Sequence, residues 1–264
     1  MKAASAFLVV SFLCAGAAAG TIQIQITQSA ELRDGVLSVA VAVRNSGDEA
    51  AHSVVPLVRF RGQEARGAIE PTLPPDGPLE AKLDLPAGAL GEGRWPYLVA
   101  VEYTDANHYP FQALLVATLV IGSPPPAQVA IPRFESPGIA RSGELALQVK
   151  NLSAAERSIS IHLLLPDALE ASEPSRTLSL APWEEKTLSA GLVNRTALPG
   201  SRYPVFVAAE YDAPPFHQAL VAQSAVEILA PQDPSRGRAR GLWIGAGVLG
   251  LLFAALVAYR LVRR

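Results

Sequence analysis

RWPYLVAVEYTDAN at residues 94–107 and RYPVFVAAEYDAP at residues 202–214 are two versions of one pattern. In each stretch, large apolar side chains recur on every second residue. Alternate residues of a β-strand point to the same face of a sheet, so this period of two predicts a strand with one core face and one solvent face. The predicted core face comprises Trp95, Tyr97, Val99, Val101 and Tyr103 in the first stretch, and Tyr203, Val205, Val207 and Tyr211 in the second.

Two further pairs of markers repeat in the same order along the chain. VRNSG at residues 43–47 matches VKNLS at residues 149–153, and the segment Thr72–Lys82 matches Thr177–Lys186. The three pairs are separated by 108, 106 and about 105 residues. A spacing shared by three markers predicts a duplicated domain of about 100 residues.

Short alternating segments and turn residues fill the rest of both copies. The alternating apolar positions are Leu37, Val39, Val41 and Val43, then Leu145, Leu147 and Val149, then Ile159, Ile161 and Leu163. Pro and Gly clusters such as Pro74–Pro78 separate these segments. About seven short strands in a hundred residues are typical of a β-sandwich. The predicted fold class is all-β, with immunoglobulin-like β-sandwiches at residues 20–122 and 127–230 followed by one transmembrane α-helix.

Each copy resembles the immunoglobulin-like domains of prokaryotic cell-envelope proteins, of the CARDB or fibronectin-III-like kind. The resemblance rests on the strand ends at Asn45 and Asn151 and on the later Tyr-Pro-x-x-Val-x-x-Glu-Tyr strand. It covers both copies, roughly residues 21–230. It implies a sandwich fold and protein–protein interaction, and it implies no particular chemistry.

The ends of the chain predict export and membrane anchoring. Lys2, a short apolar run and the small residues before Ala19 predict a cleavable signal peptide at residues 1–19. Residues 241–259 carry no charge and, at about 1.5 Å per residue, match the thickness of a bilayer core, which predicts a transmembrane helix. The other predicted segments are a Pro-rich linker at 123–126, a stalk at 231–240 and a cytoplasmic tail at 260–264. The predicted location is the cell membrane, single-pass, with the body on the extracytoplasmic side.

The predicted transmembrane helix has two features of its own. Small residues spaced four apart let another helix approach closely, so they predict a packing face for partner helices; this face comprises Gly241, Gly245, Ala246, Gly250, Ala254 and Ala258. Aromatic and basic side chains at the helix ends predict anchors at the membrane interface, namely Trp243, Tyr259, Arg260, Arg263 and Arg264. A simple lipid-facing anchor that happens to be rich in Ala and Gly is the alternative interpretation.

Charge and cysteine content exclude several function classes. Without Lys2 and the six arginines that flank the membrane segment, 15 basic residues face 24 acidic ones, so the exported body has a net charge of −9. Such a body is unsuited to gripping phosphate backbones, and we expect no nucleic-acid partner. Cys14 is the only cysteine and leaves with the signal peptide, so we expect no disulfide and no thiol chemistry.

The sequence contains no motif for catalysis or cofactor binding. It lacks the spacings of a zinc protease, a nucleophile elbow or a phosphate-binding loop, so no catalytic residue and no cofactor is predicted. His108 and His217 follow the two Glu-Tyr strands near acidic residues and are the candidates for a metal site, with solvated hairpin tips as the alternative. Asn151 and Asn194 begin glycosylation sequons, and the alternative is that they shape turns through left-handed backbone.

Three functions remain open from these observations. We favour a non-catalytic accessory or scaffold subunit of a cell-envelope membrane complex, in which the anchor packs on partner helices and the sandwiches present edge strands and loops to exported proteins. The second is a surface adhesin or glycan-binding module, for which Trp183 is the most obvious exposed aromatic residue. The third is a periplasmic metal-handling or maturation factor that uses His108 or His217.

Overall fold

The structure is a computed structural model that describes residues 21–230. The predicted signal peptide, stalk, transmembrane helix and cytoplasmic tail lie outside the described residues. Within the described part, strand dominates and there is no helix, which confirms the all-β prediction. None of the described elements is therefore a helix able to cross a membrane.

Sixteen strands follow one another along the described chain. The first eight are β1 Ile24–Arg33, β2 Val36–Asn45, β3 Ala51–Phe60, β4 Gln63–Arg66, β5 Glu70–Leu73, β6 Pro78–Pro86, β7 Gly93–Thr104 and β8 Pro110–Ile121. The second eight are β9 Val129–Glu135, β10 Ser142–Asn151, β11 Arg157–Leu164, β12 Leu169–Ala171, β13 Ser175–Leu180, β14 Glu185–Asn194, β15 Arg202–Ala213 and β16 Phe216–Glu227. The duplicated markers fall at corresponding places, since β2 and β10 both end at an asparagine and β7 and β15 both have 12 residues.

Contacts divide the described chain into two compact units. The first unit contains residues 21–90 together with Leu98–Leu115. The second unit contains Gly91–Tyr97 together with residues 116–230. The predicted linker at 123–126 therefore belongs to the second unit, as do the first residues of β7.

Two sheets enclose the core of each unit. In the first unit, one sheet has the antiparallel order β1-β2-β6, and the other is built on β3, which pairs with β4, β5 and β7. In the second unit, one sheet has the order β12-β14-β10-β9 and the other the order β13-β11-β15-β16. These paired sheets are the sandwich arrangement that the sequence predicts.

The predicted alternation is confirmed on the strands that flank each core. Leu37, Val39, Val41 and Val43 of β2 are at most 2% exposed, while the residues between them are not buried. Leu145, Leu147 and Val149 of β10 alternate in the same way and are at most 5% exposed. These apolar faces exclude water together, and this removal of apolar surface is the main driving force for folding.

The two strands that reveal the duplication depart from strict alternation. Residues 97–101 of β7 and 205–209 of β15 are buried without interruption. The expected solvent face is thus wrong for their central parts, where Leu98 and Phe206 are 6% and 3% exposed. Both strands lie between two neighbouring strands, and the small side chains of Ala100 and Ala208 are easily covered there.

A fully buried asparagine ties together the corner of the first unit. Asn45 is 0% exposed, and its Nδ2 donates to the carbonyls of Glu49 at 2.7 Å and Leu73 at 3.3 Å. Its Oδ1 accepts from the amide N–H groups of Gly47 at 3.1 Å and Gln23 at 3.3 Å. One side chain therefore joins the end of β2 to the segment before β1, to the next loop and to the end of β5.

The second unit repeats this device at Asn151, which is also 0% exposed. Its Nδ2 donates to the carbonyls of Ala155 at 2.7 Å, Ala181 at 2.9 Å and Leu180 at 3.2 Å. Its Oδ1 accepts from the N–H of Ser153 at 3.0 Å and the Oγ of Ser153 at 2.8 Å. Every hydrogen-bonding position of the amide is used, which is what a buried polar group requires.

These bonds bear on the two glycosylation sequons. A glycan attaches at Nδ2, and Asn151 is buried with that atom engaged. The Nδ2 of half-buried Asn194 donates to the carbonyls of Ala197 at 3.0 Å and Ala140 at 3.1 Å. Neither asparagine has the left-handed backbone expected of a turn residue, because the positive-φ residues of the described chain lie elsewhere. They shape the chain through their side-chain bonds instead.

We expect Asn151→Ala to lower the free energy of unfolding by about 3 kcal/mol, because it leaves several buried carbonyl and amide groups without partners. Urea denaturation of the full chain in detergent, followed by circular dichroism, measures this loss. Gln148→Ala on the half-buried face of the same strand is the matched control and should change stability far less. An Asn151→Ala protein as stable as the control would contradict a structural role for the buried amide.

Candidate functional site: a histidine cluster and an open edge strand

His217 lies between two carboxylates on the hairpin formed by β15 and β16. Its Nδ1 is 2.8 Å from Asp212 Oδ1, and its Nε2 is 3.1 Å from Glu210 Oε2. The side chain is only 16% exposed. Carboxylate oxygens only accept hydrogen bonds, and a neutral imidazole has a single N–H. A neutral ring therefore donates to one of the two carboxylates, and its tautomer decides which one.

The other side of His217 is covered by the start of β7. The Trp95 indole stacks on the imidazole, with ring centroids 3.9 Å apart and planes inclined by 14°. The His217 amide N–H donates to the carbonyl of Glu92 at 3.1 Å. Gly93 pairs with His217 through a parallel bridge, where a Cβ would lie 2.0 Å from the His217 carbonyl oxygen. Only glycine allows the segment Gly91–Tyr97 to approach β16 this closely.

The neighbouring pair Arg94 and Gln218 holds the proline-rich linker. Arg94 Nη1 donates to the carbonyl of Pro125 at 2.7 Å and to Gln218 Oε1 at 2.6 Å. Gln218 is 1% exposed, and its Nε2 donates to the same Pro125 carbonyl at 3.3 Å. Proline has no N–H, so the carbonyls of the linker cannot be bonded by its own prolines. Arg94 and Gln218 donate to these carbonyls instead. The linker is thus bonded to the strands of the second unit.

His162 extends the cluster, and the sequence does not single it out. Its Nδ1 lies 3.0 Å from Ser175 Oγ, its partner across the strand pair β11 and β13. Its Nε2 lies 3.8 Å from Glu210 Oε1, too far for a hydrogen bond. A serine–histidine–carboxylate arrangement of this kind lacks the bonded orienting group that nucleophilic catalysis needs. Correct pairing of β11 with β13 and β15 would have predicted that His162 lies beside Ser175 and near Glu210.

His108 occupies a different setting from His217. It is exposed at the tip of a turn and has a positive φ of 61°. Asp105 Oδ1 shapes this turn by accepting from the amides of Asn107 and Tyr109, both at 2.8 Å. The matching sequence positions therefore do not form matching sites. Within residues 21–230, no group of three or more His, Cys, Asp or Glu side chains is arranged to hold a metal ion.

The first strand offers a surface of another kind. β1 pairs with β2 over ten consecutive residues and with no other described strand. The Ser46 N–H donates to the Gln23 carbonyl at 2.8 Å, which extends the same register by one pair. Bonded pairs alternate along an antiparallel ladder, so the odd-numbered residues of β1 bond to β2. The N–H and C=O groups of even-numbered residues such as Ile26 and Ala30 point away from it.

The corresponding strand of the second unit is protected. β9 has seven residues, contains Pro132 and pairs with β10 through a register shift between Gln148 and Lys150. A proline and an irregular register are two of the devices that block pairing at a sheet edge. β1 has neither, and its only charged residues, Glu31 and Arg33, lie at one end.

The remaining sequence-predicted site residues fall in the segment 231–264, outside the described residues. They are the packing face Gly241, Gly245, Ala246, Gly250, Ala254 and Ala258 and the anchors Trp243, Tyr259, Arg260, Arg263 and Arg264. Both sets stay predictions from the sequence.

Comparison with known proteins gives similarity at the level of solved structures alone. No protein-family model matches the chain, and no curated protein matches it. The native conformation of E. coli α2-macroglobulin is similar at 14% identity and a TM-score of 0.30, over 78% of this chain and 17% of that one. This chain thus spans less than a fifth of that macroglobulin.

Two smaller structures are similar over about one copy of the repeat. The ASH/PapD-like domain of human CEP192 has 15% identity and a TM-score of 0.31, over 42% of this chain and 92% of that one. The periplasmic chaperone SfaE has 15% identity and a TM-score of 0.28, over 40% of this chain and 59% of that one. These neighbours are β-sandwich folds of immunoglobulin-like, PapD-like and macroglobulin-domain type.

We expect His217→Ala to raise the emission of Trp95, because the substitution removes the imidazole that stacks on the indole. Trp95 is observed alone when Trp183 and Trp243 are replaced by Phe in the same chain. His108→Asn is the matched control, since asparagine tolerates the positive φ at that exposed turn. Equal emission spectra for His217→Ala and the parent chain would contradict the stacked geometry.

Proposed function

We propose that this chain is a non-catalytic, exported accessory or scaffold subunit of a cell-envelope membrane complex. The observation that supports this best is the open edge of β1. It is ten residues long, or about 33 Å at about 3.3 Å per residue. An exposed strand of this length is a template for pairing with another chain, and soluble proteins ordinarily block such edges.

The mode of interaction that we propose is strand addition. An extended segment of an exported partner aligns beside β1 and bonds to the outward N–H and C=O groups of residues such as Ile26 and Ala30. The backbone bonds supply affinity, and the partner's alternate side chains supply specificity. The inward-facing side chains of β1 are only half-buried, so an added strand would also cover apolar surface, including Ile24, Ile26 and Leu32.

The membrane part of the proposal rests on the sequence. The helix predicted at residues 241–259 anchors the body, and its row of small residues packs on the helices of the complex. The acidic body then stays clear of anionic lipid headgroups, which it repels. In this arrangement the chain works by position, because it holds an exported partner beside a membrane complex.

We expect Ala30→Pro to reduce the recovery of exported partners while leaving the fold intact. The Ala30 N–H points away from β2, so proline removes no bond of the existing ladder but blocks an added strand. Ala30→Val keeps the N–H and is the matched control. The full chain is purified from native membranes in mild detergent, and the co-purified proteins are quantified by mass spectrometry.

The membrane contact is tested in the same preparation by changing Ala246, Gly250 and Ala254 to Leu. We expect this triple variant to lose its membrane partners and to keep those that bind β1. A parent chain that purifies alone, or partners that survive both the proline and the leucine changes, would overturn the proposed function. Thermal unfolding of each variant distinguishes loss of binding from loss of fold.

A further inference from the structure

Trp183 stands in a backbone conformation that suits it poorly. It lies in the turn between β13 and β14, where the Glu184 N–H donates to the Ala181 carbonyl at 3.1 Å. Its φ is +63°, and its side chain is 62% exposed. Left-handed backbone is strained for a bulky side chain, and such strain persists mostly where it serves a purpose. The residue gains little burial in return, because most of its surface is exposed.

The first unit contains the same turn with a residue that fits it. There the Gly77 N–H donates to the Pro74 carbonyl at 2.9 Å, and Asp76 occupies the position of Trp183 with a φ of +58°. Aspartate tolerates this conformation, and Asp76 Oδ1 accepts from Arg44 Nη2 at 2.8 Å. In both units the turn is bonded to the buried asparagine. The backbone carbonyl of Gly77 accepts from the backbone N–H of Asn45, and that of Glu184 accepts from the backbone N–H of Asn151. The fold itself therefore does not require tryptophan at this position.

The residues around this turn also differ between the units, being apolar around Trp183 and largely acidic around Asp76. In the second unit the turn adjoins the loop after β10, because the Trp183 N–H donates to the Ser153 carbonyl at 3.3 Å. Six exposed apolar residues of these two loops form what we call the apolar tip, namely Leu152, Ala154, Ala155, Ala181, Pro182 and Trp183. The corresponding residues of the first unit are Ser46, Asp48, Glu49, Pro74, Pro75 and Asp76. One scaffold thus carries an acidic tip in the first unit and an apolar tip in the second.

The apolar tip is bordered by charged side chains of both signs. Glu184 accepts from the Ala181 N–H at 2.7 Å and pairs with Lys186 at 3.2 Å, and these contacts hold its pKa below the ordinary value. Glu156 and Glu185 complete the border, and Lys150 pairs with Glu185 at 3.2 Å. Lys150, Lys186 and Arg157, which directly follows Glu156, balance the three carboxylates, so the border is charged but has no net charge. An apolar centre with a polar, charged rim is the usual anatomy of a protein interface.

The position of the apolar tip within the second unit favours a protein over a bilayer. The loop after β10 meets the start of the unit, since the Leu152 N–H donates to the Gln128 carbonyl at 2.7 Å. The chain leaves the unit at the opposite end, where Arg202 of β15 faces Glu227 of β16. Nine residues of β15 separate the two ends, or about 30 Å at about 3.3 Å per residue. This step rests on the proposed function, which places the membrane beyond residue 230.

We propose that the apolar tip is a docking site for an exported protein that offers an apolar pocket with a polar, charged rim. Trp183 is the anchor that fills the pocket, as large aromatic residues do at the centres of protein interfaces. The charged border of the tip faces the polar rim of the partner. This contact is separate from β1, which lies in the first unit.

The test begins with a photoreactive phenylalanine analogue placed at residue 183 of the full chain in cells. The same analogue at residue 76 is the matched control. We expect a protein adduct at residue 183 and none of the same mass at residue 76. An adduct of the same protein at both positions, or adducts with lipid or glycan only, would overturn the proposal.

The captured protein is then purified and titrated with the full chain in detergent. We expect Trp183→Asn to weaken its Kd by at least about tenfold, as hot-spot tryptophans do, while Asp76→Ala leaves the Kd unchanged. Trp183→Asn should also raise the unfolding midpoint, because asparagine accepts the positive φ. A weakened Kd in a more stable protein excludes misfolding as the cause. An unchanged Kd would overturn the proposal.

Vesicles of phosphatidylcholine alone, and of phosphatidylcholine with phosphatidylglycerol, test the bilayer directly. The chain is reconstituted in nanodiscs so that its own anchor is occupied, and we expect no binding to either vesicle. Binding that Trp183→Asn abolishes would make the apolar tip a lipid contact and overturn the proposal. The Ala30→Pro variant separates the two proposals, because it should leave the residue 183 adduct in place.

Discussion

Each unit depends on the hydrogen bonds of one buried asparagine. This residue ends β2 in the first unit and β10 in the second. A sandwich must close its corners where the chain passes from one sheet to the other, and the backbone groups there lie outside both ladders. Asn45 and Asn151 satisfy such groups with one side chain each. Water cannot reach these buried sites to replace the side-chain amide. Removing it would therefore leave the backbone N–H and C=O groups that it bonds buried without partners, and their full desolvation penalty would lower the stability of the fold.

Because the asparagines secure the corners from inside, the surfaces of the same loops are free to differ. The first unit has acidic loops around Asp76, and the second has apolar loops around Trp183. The edge strands diverge in the same way, with an open β1 and a β9 interrupted by Pro132. The two units thus combine similar cores with distinct outer surfaces. Function in such a protein belongs to the surface features grafted on the scaffold.

Much of the fold follows from local pattern, whereas much of the candidate site does not. The period of two at Leu37 and its successors predicts β2 because residue burial on a flanking strand alternates. That rule fails in the centres of β7 and β15, where five consecutive residues are buried. The stack of Trp95 on His217 joins residues more than a hundred positions apart, and local pattern carries no information about such pairs. The sequence also does not reveal that Asn151 is a buried structural residue, because a glycosylation sequon is identical whether its side-chain amide is exposed or buried.

The open edge of β1 also has a consequence for the protein before it meets any partner. A second copy of the same strand offers backbone groups that complement the edge as well as those of another protein do. An orphan chain produced in excess is therefore exposed to pairing with itself, and such pairing grows with concentration. If β1 recruits a partner as proposed, unequal synthesis of the two proteins leaves surplus chains with this edge uncovered.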